Sequence, residues 1–561
     1  MANQSDRMAV VEQEFHDRTN LMIQALGQGI VSQENGRNLV TSPIVVYVEG
    51  RALATHFGEA ATIMVANQAV RIFKNIDFIV PAWIDESVKR YPIFSRIPES
   101  TSDVFIDGLR GINKWGAYRV LSTFPRNEKR GTGYTYEYAI CIGKPRTETR
   151  QRLARLAKYK IFVTGKGWRA FLSPRAAGLP STTTRELDTR ASAIGGMLAA
   201  ILAVNDAVKR VLHMNNVLFI DAPVMFSAFD YSAEGNDAGP ELPDTVDIGT
   251  AVVAGLGAIG GIMVSMIPLL ATPFKGSLCL VDFDVLEVHN MNRVLCAGLE
   301  DIGKSKVSVA NDFLKRIPWL SQLVVECESA RLEDAVMLQD RRVDIIFTLV
   351  DSIIGRKNAQ DILPKSIINA GTDGFTSEVF VSRNLIDDTC LNCIFDPPSV
   401  LASYARGVLI KRLESELGKG NVRPWFVTHE AIEAIEQEIE ARIVSESERQ
   451  QRHVSIEEAV AMVAGIKHAP CGEAPRELLR LHDVDVPSPT LPQVSALPAL
   501  LCLLESIKIR HFPDKVLQNR WQTNLLGRID YSLKQRYPRK EGCLCTSDEL
   551  RNIYRIRHKL D

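Results

Sequence analysis

A chain of 561 residues is too long for one ordinary hydrophobic core, so two to four domains are expected. Hydrophobic residues at 46%, charged residues at 24% and a net charge of -1 are ordinary for a soluble globular protein. They give no basic surplus for non-specific binding to nucleic acid or to an anionic membrane. The opening "MANQSDRMAVVEQEFHD" has no apolar core of a secretory signal, so a cytoplasmic location is expected. Ten cysteines then read as thiols or metal ligands of a reducing compartment, not as a disulfide framework.

In chain order, residues 1–231 hold strand-like runs, "NIDFIVPAW", "YTYEYAICIG" and "YKIFVTGKGWRAFLS", mixed with helical patterns. They predict an accessory α/β domain. Near its end "AIGGMLAAIL" (193–202) echoes "AIGGIMVSMI" (258–267), either by chance or because this half lacks a working nucleotide loop. Residues 232–247, "SAEGNDAGPELPDTVD", are acidic, rich in Gly and Pro, and poor in apolar residues, which predicts a linker or long surface loop. From 248 to 400 the pattern alternates: strand 250–255, helix 258–270, strand 277–282, helix 304–315, strand 322–326 and strand 343–350. That alternation predicts an α/β fold with a parallel, doubly wound sheet. Residues 251–274 are uncharged and long enough to span a bilayer, but four glycines and two prolines favour a buried strand, turn and helix. Residues 401–486 predict helices with a solvated charged face, including a capping box at Ser455 and Glu458. Residues 487–561 return to an apolar helix, "LPALLCLLESIKIRHF", followed by a cysteine-containing tail.

The chemistry concentrates in the alternating segment. Gly255, Gly257 and Gly260 form G-x-G-x-x-G between a strand and a helix, suited to a tight turn, close phosphate approach and helix packing. The next strand ends at Asp282, the usual place for an acid that holds a ribose. A nicotinamide enzyme needs little more there, and no hydride-site His or Lys constellation follows. Instead come Asp284, Asn290, Asn292 and Arg293, then Lys304 and Lys306 at a helix start, and Asp351 after a later strand. Cations converging on strand ends suit a triphosphate, and a carboxylate beside it suits Mg²⁺.

The set "GLGAIGG…VDFDVLEVHNMNR…DIGKSKV…LVD" resembles the adenylation domain of E1-like enzymes, the group containing ubiquitin-activating enzymes and bacterial sulfur-carrier adenylyltransferases. The resemblance implies ATP and Mg²⁺: ribose on Asp282, phosphates on Asn290, Arg293 and Lys306, and Mg²⁺ on Asp351. "HNMNR" lacks the glutamine that usually ends this motif. The first half would then be a degenerate adenylation-like domain. Arg185 and Arg190 in "TTTRELDTRAS" are candidates to reach the ATP site from it.

The cysteines sort by neighbourhood. Cys390 with Cys393 and Cys543 with Cys545 make two close pairs that suit a structural Zn²⁺, as many E1-like proteins carry. Cys471, in the Pro- and Gly-punctuated "KHAPCGEAP", is the candidate thioester nucleophile, with Cys296 as the alternative. The resemblance therefore implies an E1 that adenylates the C-terminal carboxylate of a ubiquitin-like protein ending in Gly. It would capture that protein on Cys471 and pass it to an E2-like carrier, as in bacterial ubiquitin-like operons associated with antiphage defence. A homodimer stays open. So do a sulfur-carrier adenylyltransferase without thioester transfer and a non-catalytic scaffold on the same fold.

Overall fold

Residues 41–94, 103–125, 134–235, 237–351, 353–395, 400–418, 429–451, 456–464, 490–517 and 519–560 are described in a computed structural model, with 11–16, 19, 30, 31, 427 and 454. The strands of the first half are β1 (Ile44–Val48), β2 (Asn75–Ile79), β3 (Ala117–Leu121), β4 (Tyr136–Ile142), β5 (Ala157–Lys166), β6 (Arg169–Ser173) and β7 (Val224–Ser227). Its main helices are α1 (His56–Ile72), α2 (Val104–Ile112), α3 (Thr147–Leu156) and α4 (Ser192–Val211). The strands pair in the order β3-β2-β1-β4-β5-β6-β7, parallel as far as β5 and antiparallel after it. Apolar runs such as "IVVYV" suit strands covered by helices on both faces.

The second half repeats this plan. β8 (Val246–Ala254), α5 (Ala258–Met266), β9 (Phe274–Val281), α6 (Lys306–Lys315), β10 (Leu323–Glu328), β11 (Ile345–Thr348), α7 (Ile353–Asp361), β12 (Ser366–Asp373) and β13 (Thr376–Ser382) follow in turn. After an inserted segment come α11 (Pro492–His511), β14 (Asn519–Asn524), β15 (Leu533–Gln535) and α12 (Asp548–His558). The strand order is β10-β9-β8-β11-β12-β13-β14-β15, again parallel as far as β12 and antiparallel beyond. The predicted doubly wound parallel sheet is present, extended by antiparallel strands that the alternation did not foretell.

The repeat decides the meaning of the two "AIGG" stretches. By connectivity α5, which carries the second, matches α1, whereas the first lies on α4, the match of α11. The echo is therefore not a duplicated nucleotide loop. Gly195 and Gly196 serve packing: a Cβ on either would stand 2.4 and 2.3 Å from the carbonyl oxygens of Arg169 and Phe57.

By internal contacts the chain forms two compact units. One comprises Met1–Val350, Ile354–Leu391 and Pro489–Asp561, so both sheets share it; the other comprises Asp351–Ile353 and Asn392–Ser488. In the first, α1, α4, α5 and α11 contribute to one apolar cluster that includes Phe57, Met64, Leu198, Ile262, Leu500 and Trp521. Among the described residues two helices, α4 and α11, are long and apolar enough to cross a membrane, but their apolar windows are 100% and 94% buried inside the protein. The described residues of the 232–247 segment are held by side chains of the first half. The Arg169 guanidinium donates to the carbonyls of Glu234, Gly235 and Asp237, and the Trp168 indole donates to Pro240 O at 2.7 Å.

In the second unit, α8 (Val400–Leu417), α9 (His429–Gln450) and α10 (Ile456–Val463) pack around Tyr404, Val408, Ile435, Ile439 and Val460. Arg412 bridges its two long helices by a forked pair with Glu438 at 2.8 and 2.9 Å. Ser455 and Cys471 lie outside the described residues.

Candidate nucleotide site

The glycines divide their work as their spacing predicts. Gly255 has φ +95, and a Cβ on it would meet Leu349 O at 2.8 Å, so the turn needs a residue without a side chain. A Cβ on Gly260 would stand 2.0 Å from Gly255 O, which is where α5 packs on its own strand. Gly257 has nothing within 4 Å of its absent Cβ, so the space beside it is open. Gly257 is also the N-cap of α5 and supplies no side-chain hydrogen bond, leaving the first N–H groups of the helix to a ligand.

The matching place in the first half is closed. Glu49 follows β1 and its carboxylate accepts from Ala52 N at 2.9 Å, capping the short turn Gly50–Leu53. The Thr55 hydroxyl then accepts from Gly58 N at 3.2 Å and caps α1. Val80 and Pro81 follow β2, where Asp282 follows β9. Here a carboxylate occupies the N–H groups of the first turn, and the acid of β2, Asp77, lies inside the strand and is held by Arg119 and Tyr136.

Asp282 is 8% exposed, and its two oxygens accept from Leu256 N at 2.6 Å and Asp284 N at 2.8 Å. It staples the glycine loop to the end of β9. Burial pushes its pKa up, opposed by the Lys306 ammonium and the two N–H donors. Lys306, 9% exposed, opens α6 behind the Ser305 cap and donates to Asp284 Oδ2 at 2.5 Å. Lys304 pairs with Asp301 at 2.9 Å. Asn290 turns its Oδ1 to Glu287 N at 3.0 Å, which holds the loop after β9. Next to it Asn292 is fully buried; its Oδ1 accepts weakly from Arg293 at 3.4 Å and its Nδ2 has no acceptor. A buried amide donor without an acceptor beside an arginine fits an anionic ligand. Asp351, three residues past β11, is exposed.

Arg356 on α7 was not singled out by the sequence reading. Its Nε donates to Val350 O at 3.0 Å and its NH1 to Asn369 Oδ1 at 3.1 Å, which also accepts from the Thr348 hydroxyl at 2.8 Å. It braces the end of β11 just before Asp351, and its spacing of five from that aspartate was the available signal. Of the two first-half candidates, Arg190 pairs with Asp244 at 3.3 Å, and Arg185 lies on the short helix Thr184–Leu187 capped by Thr183.

The two cysteine pairs come together. One ligand atom from each of Cys390, Cys393, Cys543 and Cys545 lies within 4.8 Å of every other, and the Cys390 and Cys543 sulfurs are 3.5 Å apart. Four thiolates around Zn²⁺ stand about 3.8 Å from one another, given Zn–S bonds of about 2.3 Å. The set could hold a metal ion of that kind. The tail that carries the second pair is anchored nearby: Arg539 donates to Asp388 O at 3.0 Å and Leu385 O at 3.1 Å.

Parts of the chain are similar to known proteins. An uncharacterized protein, y4jF, of Sinorhizobium fredii is 32% identical over 187 residues, which is 32% of this chain and 34% of that protein. The NEDD8-activating enzyme E1 catalytic subunit of Caenorhabditis elegans is 27% identical over 29% of this chain and 40% of its own length. The sulfur carrier protein adenylyltransferase of Thermus thermophilus is 27% identical over 32% of this chain and 69% of its own length. The first two matches thus span well under half of those relatives. A crystal structure of Escherichia coli MccB with succinimide aligns over 53% of this chain and 67% of its own, at 16% identity and a TM-score of 0.32. The ThiF family matches residues 236–541, more than half of the chain, and covers the glycine loop, the charged loops and the first cysteine pair, Cys390 and Cys393; the chain belongs to the ThiF family.

Proposed function

We propose that this protein is an E1-like activating enzyme that adenylates the C-terminal carboxylate of a ubiquitin-like protein with Mg·ATP. The observation that carries the reading is the edge of the second sheet. An uncapped helix N-terminus at Gly257, the buried Asp282 and Lys306 on its neighbour Asp284 stand at the end of β9, with Arg293 in the loop that follows, while the first half closes its own edge with Glu49. Asp282 would hold the ribose, and the N–H groups of α5 with Asn290, Arg293 and Lys306 would hold the phosphates. Lys306 is held by Asp284 and would exchange that partner for phosphate. Asp351 would hold Mg²⁺, which when bound supplies neutralisation of the charge that grows on departing pyrophosphate. The carboxylate oxygen attacks the α-phosphorus, a P–O bond forms, and the bond to pyrophosphate breaks.

Cys471 thiolate would then attack the acyl carbon, forming a thioester and expelling AMP, before transfer to an E2-like carrier. The other cysteines suit that task poorly. Burial pushes Cys327 up to about 11, raises Cys141, Cys279 and Cys502, and encloses Cys296 at 2% exposure. The thiolates of Cys390 and Cys393 with those of Cys543 and Cys545 in the tail would hold Zn²⁺. The size of the chain and its extra first half support a kinship with the E1 enzymes of bacterial ubiquitin-like antiphage operons as part of this proposal. A sulfur-carrier adenylyltransferase that stops at the adenylate is the second reading, favoured by the likeness to the Thermus thermophilus enzyme.

The test is ATP–pyrophosphate exchange dependent on a small β-grasp protein ending in Gly. Arg293→Ala and Asp351→Ala should each lower exchange by about 100-fold or more with the fold intact. Wild-type exchange in both variants would end the ATP reading. Cys471→Ser should turn a reductant-sensitive adduct into a resistant ester. Full exchange without any covalent adduct would favour the second reading.

A further inference from the structure

The loop that carries Asn290, Asn292 and Arg293 is not held by its own half alone. Arg71, on α1 of the first half, is fully buried. Its NH1 donates to Met291 O, its NH2 donates to Ala297 O at 2.8 Å, and its Nε donates back to Asn67 Oδ1 at 3.1 Å. Asn67, 3% exposed, donates its Nδ2 to Leu295 O at 2.9 Å. Three carbonyls of residues 291–297 are thus satisfied from one helix of the other half. The segment cannot supply these donors itself, because it lies in irregular backbone between the 3₁₀ turn Val288–Asn290 and Leu299–Asp301. A guanidinium is a costly group to bury, and here the carbonyls it satisfies, which an apolar side chain would leave unpaired, offset that cost. Its retention at this point calls for a task that needs a rigid fork of donors.

We propose that Asn67 and Arg71 are positioning residues for the phosphate-binding loop, so that the closed first half sets the nucleotide affinity of the open second half. This rests on the ATP reading above for its consequence, but not for the clamp itself. Arg71 does not meet the ligand; it fixes the backbone on either side of Arg293 and thereby the direction in which Asn292 and Arg293 present their donors. Without it Met291 O and Ala297 O lose buried partners and the loop has more than one arrangement.

The experiment uses the full-length protein with three variants, Asn67→Ala, Arg71→Gln and Arg71→Lys, beside Arg293→Ala. Hydrogen exchange of peptides spanning 288–297 should speed up in the first three, while peptides from β8, β9 and β11 keep their protection. Binding of a non-hydrolysable ATP analogue should weaken roughly tenfold or more in Arg71→Gln, and by less in Asn67→Ala. Placed on the Arg293→Ala background, Arg71→Gln should add little further loss, because both act through one group. Arg71→Lys should not restore binding, since a point charge lacks the fork; full rescue by lysine would mean that charge alone matters and would overturn the proposal. Unchanged exchange in 288–297 together with wild-type affinity in Asn67→Ala and Arg71→Gln would also overturn it. If Arg71→Gln does not fold, Asn67→Ala decides by the same two readouts. A wild-type protein that ignores the nucleotide would end the ATP reading, while the exchange data still report the clamp.

Discussion

Gly257 and Gly260, three residues apart, should fail in opposite ways. Alanine at 260 drives a Cβ into Gly255 O at 2.0 Å, so the strand–helix junction must shift and stability should fall by several kcal/mol, on the order of a strained core change. Alanine at 257 meets nothing among the described residues, so stability should stay within about 1 kcal/mol of the wild type, while ATP-analogue binding is lost to the methyl in the open space. Thermal melts and titrations of both variants separate the two. His16 makes a second residue-level prediction. Its ring nitrogens are buried without partners among the described residues, and its pKa is lowered to about 4 by burial first and by Lys74 next, with Glu12 opposing. The unfolded chain binds this proton more readily than the native one, so the contribution is intact above pH 6.5 and is lost as pH falls toward 4. The loss is ~1.4 kcal/mol per pH unit across that window. Denaturant unfolding at pH 7 and pH 5 should show it, and His16→Phe should flatten the slope.

At the scale of elements, the tail from β14 to α12 is held by hydrogen bonds and by the four-cysteine cluster. Arg539 binds Asp388 O and Leu385 O, and the Tyr554 hydroxyl donates to Lys365 O at 2.6 Å. Elemental analysis should find about one zinc per chain, released with four titratable thiols by a strong chelator. Cys390→Ser should abolish it and expose the tail to proteolysis; a metal-free protein with an equally resistant tail would show the cluster to be incidental. The elements around the glycine loop were legible because their signals are local. Helix 258–270 appears as α5 with a 3₁₀ turn to Leu270, and strand 277–282 as β9 ending at Val281. β12 and β13 were not legible. "SIINAGTD" and "TSEVFVS" alternate weakly, and only pairing with β11 and β14 makes them strands.

At the scale of the whole molecule, two halves of one plan are joined by buried polar groups as well as by apolar packing. Besides the Arg71 clamp, Asn205 and Lys209 of α4 donate to Leu525 O at 2.9 Å and Gly527 O at 3.1 Å. On α11 of the second half, Glu505 accepts from the Tyr231 hydroxyl at 2.6 Å, from Lys508 at 2.5 Å and from Leu517 N at 2.8 Å. Neither Glu505 nor Lys508 is exposed at all. Lys508→Met should destabilise the protein by roughly 3–5 kcal/mol, because it strands a carboxylate away from water. Glu505→Gln in addition should return part of that loss in chemical denaturation. A cost below about 1 kcal/mol for Lys508→Met would mean that water reaches the pair.

The sequence by itself determined the local patterns from which the site is proposed: the glycine spacing, Asp282 at a strand end, the order of the cations and, apart from them, the two cysteine pairs. Each is a short-range pattern in which residue type and spacing state the physical need. Only the tertiary structure decided how the first half relates to the second. The echo of "AIGGMLAAIL" left chance and a half without a working nucleotide loop both open; in space α4 answers to α11, and the counterpart of the glycine loop is a turn filled by Glu49. No spacing within the first half marks Arg71 as a partner of residues 291–297, because that contact joins positions 220 and 226 residues apart. Such a pairing is selected by the packing of α1 against the other half, and a single helix cannot reveal which carbonyls its buried donors will meet.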